Sequence, residues 1–334
     1  MPVITTYDGA PAVAGGEAVT VFDTSRPAAP SASPTTGAVP LRPREQVQRR
    51  VGGTPRWAPA AAGIVVGVSR GDDPTGVLTW AAREARALHA PLVVCHAGND
   101  ERADAVLAEA GALARRAVPA GHVRTVRGDG RPLSVLASAA DQSGIVVVGT
   151  AAGAGSGTQL VGTIAVRLAT EGRSAAVVAR PPVRTQPGQP RQGPFSGQVV
   201  VGVDGSAASR AALEYAFAHA AAHRRPLVAV YVTTGSAADY WLDDSLLDTA
   251  VTDDPGAAAL VDDEIAAFAD RYRVRAASAV HRGRPLAVLS RLSRGADLLV
   301  VGVNGRPAGA RARLGSTARG VLLDPPTTVA AVRA

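Results

Sequence analysis

A chain of 334 residues is long enough for two domains of ordinary size with a further segment left over. Hydrophobic residues make up 46% of the chain and aromatic residues 4%, so the predicted cores are built from valine, leucine and alanine. No stretch approaches the roughly eighteen uninterrupted apolar residues of a membrane-spanning helix, and no secretory signal is predicted at the N-terminus, which favours a cytoplasmic protein.

The formal net charge is +7, and every basic side chain is an arginine because the chain contains no lysine. These arginines are scattered and are not interleaved with aromatic residues, so the sequence argues against nucleic-acid binding. The single cysteine, Cys95, lies in an apolar run and is predicted to pack in a core.

Residues 1–61 are rich in proline, alanine, glycine, serine and threonine and show no sustained hydrophobic period. Such a composition buries too little apolar surface to offset the entropy lost when the chain is ordered. The sequence therefore predicts a disordered tail before the first domain.

From Gly63 onward, apolar runs alternate with segments of helical periodicity. Strands are predicted at IVVGVS, PLVVCHA, HVRTVRG, IVVVGT and SAAVVAR, with helices between them. Apolar strands that alternate with helices are typical of a parallel sheet covered on both faces. Residues 62–182 are thus predicted to form one α/β domain, and the proline-rich residues 183–196 a linker.

The same series of elements starts again and occupies residues 197–334. VVVGVDGS corresponds to IVVGVSRG, and the Gly-Arg-Pro-Leu at 283–286 repeats the one at 130–133. This pattern indicates an internal duplication of a βαβα unit. The second copy carries an acidic insertion with Tyr240 and Trp241. This insertion either covers one edge of a bound ligand or lies on the surface without a role in binding.

The segment after the fourth strand of the second half has a spaced glycine motif. A buried strand is predicted to end at Gly302, Gly305 follows, and after nine further residues Gly315 and Ser316 open a helix with Ser316 as its N-cap. A helix start offers unpaired N–H groups and the positive end of a dipole. The intervening loop holds three arginines and no acid. The motif predicts a phosphate-binding loop, although alone it is equally typical of a plain strand-loop-helix connection.

Taken with Asp204 at the end of its first strand, this motif resembles the universal stress protein family in its tandem form, with two such domains in one chain. The resemblance covers about residues 62–182 and 197–334 and leaves the tail unexplained. It implies two five-stranded parallel α/β sandwich domains of the Rossmann-like, adenine-nucleotide-binding kind, with ATP at the carboxyl ends of the strands. Open α/β sheets bind their ligands at that position.

The resemblance also implies which residues hold ATP in the second half. Main-chain N–H groups and the Ser316 hydroxyl would hold the phosphates, Asp204 would lie near the ribose and any Mg²⁺, and Val232 would meet the adenine through its backbone. The implied binding residues are Asp204, Val232, Gly302, Gly305, Gly315, Ser316 and Thr317. An alternative role for Asp204 is to cap the helix that follows it.

The first half departs from this pattern at two positions. Ser69 stands where the second half has Asp204, and Ala152 replaces the second glycine of the motif. We therefore expect the first half to bind nucleotide weakly or not at all and to serve mainly as a pairing partner. Its weaker candidate residues are Ala97, Gly149, Gly162 and Thr163.

No metal cluster is predicted, because the histidines at 89, 219, 223 and 281 have no cysteine or carboxylate at metal-ligand spacing. The remaining metal candidate is a Mg²⁺ ion near Asp204. A nucleophile elbow, a Walker-type loop and a dinucleotide fingerprint are all missing.

The leading hypothesis is a regulatory, stress-response module that binds ATP chiefly in the second half. A slow Mg²⁺-dependent ATPase and a nucleotide-free interaction scaffold stay open as alternatives.

In the family that the chain resembles, the fifth strands of two domains pair across a two-fold axis. The corresponding strands here lie at 174–180 and 327–333. Each would be an edge strand with unpaired backbone groups, so the two are predicted to pair within the chain as a pseudo-dimer. A further homodimer and a regulatory protein partner are left open.

Overall fold

A computed structural model describes most of the chain from residue 63 onward and three short segments before it. The described residues are 3–6, 11–13, 19–22, 63–69, 74–98, 101–118, 122–141, 143–149, 156–180, 193–233, 255–305 and 314–334. The predictions made for Tyr240 and Trp241 in the acidic insertion, and for the arginines at 306, 311 and 313, lie outside the described residues.

The N-terminal segment contributes three short strands, β1 (Val3–Thr6), β2 (Pro11–Val13) and β3 (Val19–Phe22). β1 pairs with both others, and β3 pairs antiparallel with Ala276–Arg282 at the edge of the second half. The prediction of a disordered tail did not anticipate these strands, because an open sheet edge offers backbone partners that a local pattern does not reveal. For the rest of residues 1–61, disorder stays a prediction.

The first half alternates strands and helices from β4 to β8. Its elements are β4 (Ile64–Gly67), α1 (Thr75–Ala87), β5 (Leu92–Ala97), α2 (Glu101–Ala117), β6 (Val123–Gly128), α3 (Pro132–Ala140), β7 (Ile145–Gly149), α4 (Ser156–Glu171) and β8 (Ala175–Ala179). The strands are parallel in the order β8-β7-β4-β5-β6.

The second half repeats this arrangement. Its elements are β9 (Val199–Val203), α5 (Ala207–His223), β10 (Leu227–Thr233), α6 (Pro255–Tyr272), β11 (Ala276–Arg282), α7 (Pro285–Leu292), β12 (Leu298–Gly302), α8 (Ser316–Leu323) and β13 (Val329–Val332). The parallel order β11-β10-β9-β12-β13 is the same topology as in the first half. The predicted pair of five-stranded parallel α/β domains is therefore confirmed.

Local sequence signals explain where several helices begin. Both Gly-Arg-Pro-Leu repeats place proline at the first position of a helix, at Pro132 in α3 and Pro285 in α7. Proline suits that position because its fixed φ is helical and the missing N–H has no intrahelical partner there. α5 is capped by Ser206, whose Oγ accepts a hydrogen bond from the Ser209 N–H at 3.0 Å.

The two five-stranded sheets join into one. β13 pairs antiparallel with β8, with Val329 opposite Val178 and Ala331 opposite Ala176. This pairing confirms the predicted contact between the fifth strands of the two halves. The Thr328 hydroxyl strengthens the junction, since its Oγ1 accepts a hydrogen bond from the Arg180 N–H at 3.2 Å. The backbone groups of both strands are therefore paired where the halves meet, and neither strand is left as an open edge.

Two hydrophobic cores lie on opposite faces of the joined sheet, and each contains residues from both halves. Side chains alternate between them, so in β9 Val199 and Val201 enter one core and Val200 the other. Helices α1, α2, α5 and α6 cover the first core, and α3, α4, α7 and α8 cover the second. Cys95 is buried in the second core, where burial raises the pKa of its thiol to about 11.

The end of the predicted linker belongs to the second half. Phe195 is buried in its core, and the Gly197 N–H donates a hydrogen bond to the Gly295 carbonyl at 2.8 Å. The predicted linker, 183–196, is thus too long at its C-terminal end. None of the described helices is long and apolar enough to cross a membrane.

Candidate functional site

The strand order of the second half reverses between β9 and β12, and a cavity of about 360 Å³ opens at the carboxyl ends of these strands. The chain leaving β9 enters α5 on one face of the sheet, and the chain leaving β12 leads to α8 on the other. The two connections diverge, so a crevice forms between them, as in other open α/β sheets. The cavity size falls within the range of about 300–1,000 Å³ typical of small-molecule sites.

Every binding residue predicted in the second half lines this cavity. They are Asp204, Val232, Gly302, Gly305, Gly315, Ser316 and Thr317. β9 pairs with β10 only as far as Tyr231, so Val232 extends beyond the end of β9 into the cavity wall. The seven residues thus lie around one cavity, and their role in binding a ligand stays a prediction.

The N-terminus of α8 presents main-chain donors to the cavity. Gly315 is the N-cap, and Ser316 is the first helical residue, so the prediction of Ser316 as the N-cap was off by one residue. The Gly315 N–H donates to the Val303 carbonyl at 2.8 Å and is already used. Within the described part of the chain, the N–H groups of Ser316, Thr317 and Ala318 donate no hydrogen bond, as expected for the first turn of a helix.

Asp204 lines the cavity directly after the end of β9. Its Oδ1 accepts a hydrogen bond from the Ser206 N–H at 2.9 Å, which forms a local turn before α5. Ser206, and not Asp204, caps that helix, so the alternative capping role predicted for Asp204 was wrong. The other oxygen, Oδ2, lies beside Gly305, where a Cβ atom would be 3.0 Å from it. The Asp204 carboxylate therefore leaves little room for a side chain at position 305.

Helix packing is by itself sufficient to require glycine at position 302. A Cβ atom at this position would lie 2.7 Å from the carbonyl carbon of Ala208 and 2.8 Å from the Ser209 nitrogen, both in the first turn of α5. Gly149, at the equivalent position of the first half, has the same role, because its Cβ would lie 2.8 Å from that of Val77 in α1. Both glycines were predicted to contact a ligand; helix packing is a further reason for glycine at these positions, and the ligand contact stays a prediction.

Replacing Gly302 with alanine is expected to lower the free energy of unfolding by about 1–3 kcal/mol, because the new methyl group overpacks against the α5 backbone. Gly315→Ala is the matched control. A Cβ atom there would meet the Val303 carbonyl oxygen at an ordinary 3.6 Å, so stability should be nearly unchanged. Urea denaturation of both variants measures the difference. Equal stability of the two would contradict the packing assignment.

Several cavity residues were missed by the sequence analysis. The polar ones are Ser206, Ser209 and Asn304, and the apolar ones include Val230, Pro285 and Leu289. The Ser206 hydroxyl donates to the Asn304 carbonyl at 3.2 Å and links the loops that follow β9 and β12. The parallel strings Gly-Val-Asp-Gly at 202–205 and Gly-Val-Asn-Gly at 302–305 were the available signal, because both follow strands on either side of the reversal point.

The first half does not reproduce the helix start. Gly162 and Thr163 correspond in sequence to Gly315 and Ser316, which predicts a helix start there, yet α4 starts at Ser156 and contains both in its interior. A Cβ atom at Gly162 would lie 3.0 Å from the Leu323 Cα in α8, so this glycine allows the two helices to approach closely across the junction. Thr163 is exposed, and Ala97 ends β5 half-buried. The Gly162 and Thr163 prediction was thus wrong about the helix position.

A second polar cluster lies between the two halves. Glu84 on α1 is fully buried, and its two oxygens contact His219 Nδ1 at 3.0 Å and His223 Nε2 at 2.7 Å, both on α5. His219 Nε2 contacts Asp297 Oδ2 at 3.1 Å. Asp297 also accepts two hydrogen bonds from Arg83 at 3.1 and 3.2 Å. No carboxylate stands at metal-ligand spacing from these histidines in the sequence, and the fold supplies Glu84 and Asp297 from distant positions.

The contacts in this cluster shift the pKa of its members strongly. Burial alone would raise the pKa of Glu84, but the charge of His219 and hydrogen bonds to both histidines lower it to about 2. Burial opposes the charged form of His219 as well, yet Glu84 and Asp297 raise its pKa to about 9. The pKa of Asp297 is held well below its usual range, because His219 and Arg83 outweigh its burial. The cluster therefore keeps opposite charges in contact at neutral pH.

Comparison with known proteins agrees with the duplicated fold. Residues 196–333 match the model of the universal stress protein family. A universal stress protein of Mycolicibacterium smegmatis is 28% identical over 298 residues, which cover 81% of this chain and 97% of that protein. The crystal structure of a universal stress protein from Archaeoglobus fulgidus DSM 4304 is similar with a TM-score of 0.57 at 17% identity, over 82% of this chain and 97% of that one.

The family match covers nearly all of the second half, and both the Mycolicibacterium and the Archaeoglobus relatives extend across the two halves. The first half repeats the strand order of the second, and the two join through their fifth strands. The second half is therefore a domain of the universal stress protein family, and the first half repeats its fold.

Proposed function

We propose that the second half binds an adenine nucleotide, ATP, and that the protein is a nucleotide-dependent regulatory module of the stress response. The observation that carries this proposal is the cavity between the ends of β9 and β12. It combines main-chain N–H groups of α8 that have no acceptor among the described residues with the carboxylate of Asp204. The N-terminus of a helix is a ready anion site, because its N–H groups and its dipole both favour negative charge.

The shape of the cavity suits a nucleotide that lies across three strand ends. On the β10 side its wall is apolar, with Val230 and Val232 from the strand and Leu289 from α7. On the β12 side, the first turn of α8 provides the main-chain donors. An adenine ring fits the apolar end, and a polyphosphate chain fits the helix end. Asp204 at the end of β9 lies on the strand between them, which suits a contact with the ribose.

Asp204 is also suited to a Mg²⁺ ion that accompanies the phosphates. One of its oxygens is committed to the Ser206 N–H, and the other lies against Gly305 within the cavity wall. Mg²⁺ in nucleotide sites is commonly held by one or two carboxylates together with substrate phosphates and water. A single carboxylate at this place therefore fits Mg²⁺ bound chiefly through ATP.

A regulatory role fits the site better than rapid catalysis. Among the described residues that line the cavity, Asp204 is the only one with an ionisable side chain. General acid–base chemistry requires a group with a tuned pKa within hydrogen-bond reach of the reacting atoms. We expect phosphate release from ATP at the same background rate with the wild-type protein and with Asp204→Ala.

Nucleotide binding in the first half is expected to be weak or missing. Ser69 replaces the aspartate, and Gly162 and Thr163 lie inside α4, where main-chain N–H groups bond within the helix. Gly162 also serves the contact between α4 and α8. We infer that the first half acts mainly as the pairing partner of the second.

Calorimetric titration of the full-length protein with ATP, AMP and cyclic AMP tests the proposal. The expected result is one site per chain, with Asp204→Ala weakening Mg²⁺-ATP binding by about tenfold or more, since a hydrogen bond to a charged group contributes about 1.5–3 kcal/mol. Asp129→Ala, which removes an exposed carboxylate after β6, is the matched control. If no nucleotide produces heat or raises the melting temperature, the interaction-scaffold alternative replaces this proposal.

A further inference from the structure

The cluster of Glu84, His219 and His223 lies outside the nucleotide cavity and has no part in the proposed function. His219 and His223 are four residues apart, so they lie on the same face of α5, one turn after the other. Glu84 comes from α1 of the other half. One donor atom from each of the three side chains lies within 4.8 Å of the others. The fold thus brings three metal-ligand groups to one buried point.

The surroundings of His219 resemble the outer shell of a metal-bound histidine. Its Nδ1 faces Glu84, while its Nε2 faces Asp297 at 3.1 Å on the opposite side of the ring. Asp297 is itself fixed by two hydrogen bonds from Arg83. Metal-ligating histidines almost always donate their second N–H to a carboxylate, carbonyl or water, which fixes the ring orientation.

The second histidine is what distinguishes this cluster from a simple ion pair. One imidazolium is enough to pair with Glu84, and His219 already contacts one of the Glu84 oxygens. His223 adds a further nitrogen at 2.7 Å from the other oxygen, and the two imidazole rings are only 4.3 Å apart. The side chains of Glu84 and His219 are 0% and 1% exposed, whereas that of His223 is 7% exposed and marks the side nearest solvent.

We propose that Glu84, His219 and His223 bind one divalent transition-metal ion, with Zn²⁺ as the best fit, and that the ion clips the two halves together. Two imidazoles and a carboxylate are donors that Zn²⁺ accepts, while Ca²⁺ and Mg²⁺ take oxygen ligands. Two histidines four residues apart on one helix are also a common feature of zinc sites. Asp297 acts as a positioning residue through the Nε2–H of His219.

The test uses full-length protein stripped with EDTA and titrated with Zn²⁺ or Co²⁺ alone, followed by removal of loosely bound ions. One equivalent of metal per chain is expected, with a visible Co²⁺ spectrum of low-coordinate nitrogen and oxygen ligation. His223→Gln should lose this equivalent, and His122→Gln, which removes an exposed imidazole, should retain it. Asp297→Asn should bind Zn²⁺ about 10- to 100-fold more weakly.

The competing interpretation is a buried ion-pair network that takes no metal. It predicts that the wild-type protein retains no Zn²⁺ or Co²⁺ after loosely bound ions are removed, and that result would overturn the proposal. Retention of the full equivalent by His223→Gln would overturn it as well. If a variant fails to fold, X-ray absorption of the zinc-loaded wild-type protein decides the matter, because the site requires two imidazole ligands and fewer would refute it.

Discussion

Replacing Glu84 with glutamine is expected to lower the free energy of unfolding by about 3–5 kcal/mol in buffer that contains EDTA. Glu84 is fully buried and contacts both His219 and His223, so the neutral amide leaves charged or hydrogen-bonding partners without their counterpart. Removal of one member of a buried ion pair costs more than the pair itself contributes, since the remaining charge cannot reach water. Urea denaturation followed by circular dichroism measures the loss.

Glu171→Gln is the matched control for this substitution. Glu171 pairs with Arg167 at 2.8 Å on the surface of α4, and the two side chains are 55% and 54% exposed. Exposed pairs four residues apart on a helix contribute only about 0.3–0.5 kcal/mol. A similar loss of stability in both variants would show that the interdomain cluster contributes no more than a surface pair.

The fold could be predicted because its signals are local and repeated. Strands such as Val199–Val203 are short apolar runs between glycine-containing turns, and the intervening helices carry apolar residues three and four positions apart. The duplication then supplied each element twice. The pairing of β8 with β13 followed from the family resemblance and from the expectation that two open edges would pair. The N-terminal strands were missed, because their pairing depends on a distant edge.

The nucleotide cavity could be located from sequence, but its atomic roles could not. Glycine is compatible with both ligand approach and helix packing, and the close contact with Ala208 that requires it at position 302 becomes visible only in the fold. The Gly315 N–H is already bonded to the Val303 carbonyl, so the N–H groups that remain for a ligand belong to the residues that follow it in α8. Such details depend on the exact end of a helix and on contacts between helices, which sequence patterns indicate least well.

The interdomain cluster was beyond the reach of local spacing. Glu84 and His219 are separated by 135 positions in the chain and come from different halves. Their contact exists because the antiparallel junction of β8 and β13 brings α1 beside α5. Metal-ligand motifs are recognisable in a sequence when the ligands are close together, and here only the two histidines are. The search for a carboxylate near His219 in the sequence therefore failed.

Gly315→Val is expected to weaken ATP binding by at least about tenfold while leaving the fold intact, because each blocked hydrogen bond to a phosphate is worth about 1.5–3 kcal/mol. Gly315 has φ −63° and ψ 152°, a conformation open to valine, and its Cβ would contact the Val303 carbonyl oxygen at an ordinary 3.6 Å. The added methyl groups would stand in the cavity beside the undonated N–H groups of the first α8 turn.

Thr317→Val places the same side chain two residues later and is the matched control. It removes a hydroxyl group but leaves the main-chain donors of α8 in place, so its affinity for ATP should remain close to that of the wild-type protein if the backbone holds the phosphates. Calorimetric titration with ATP compares the three proteins, and their melting temperatures without nucleotide check the fold. Unchanged binding by Gly315→Val would place the phosphates elsewhere. A loss confined to Thr317→Val would assign their recognition to the hydroxyl group, against the dipole and N–H argument that underlies the site.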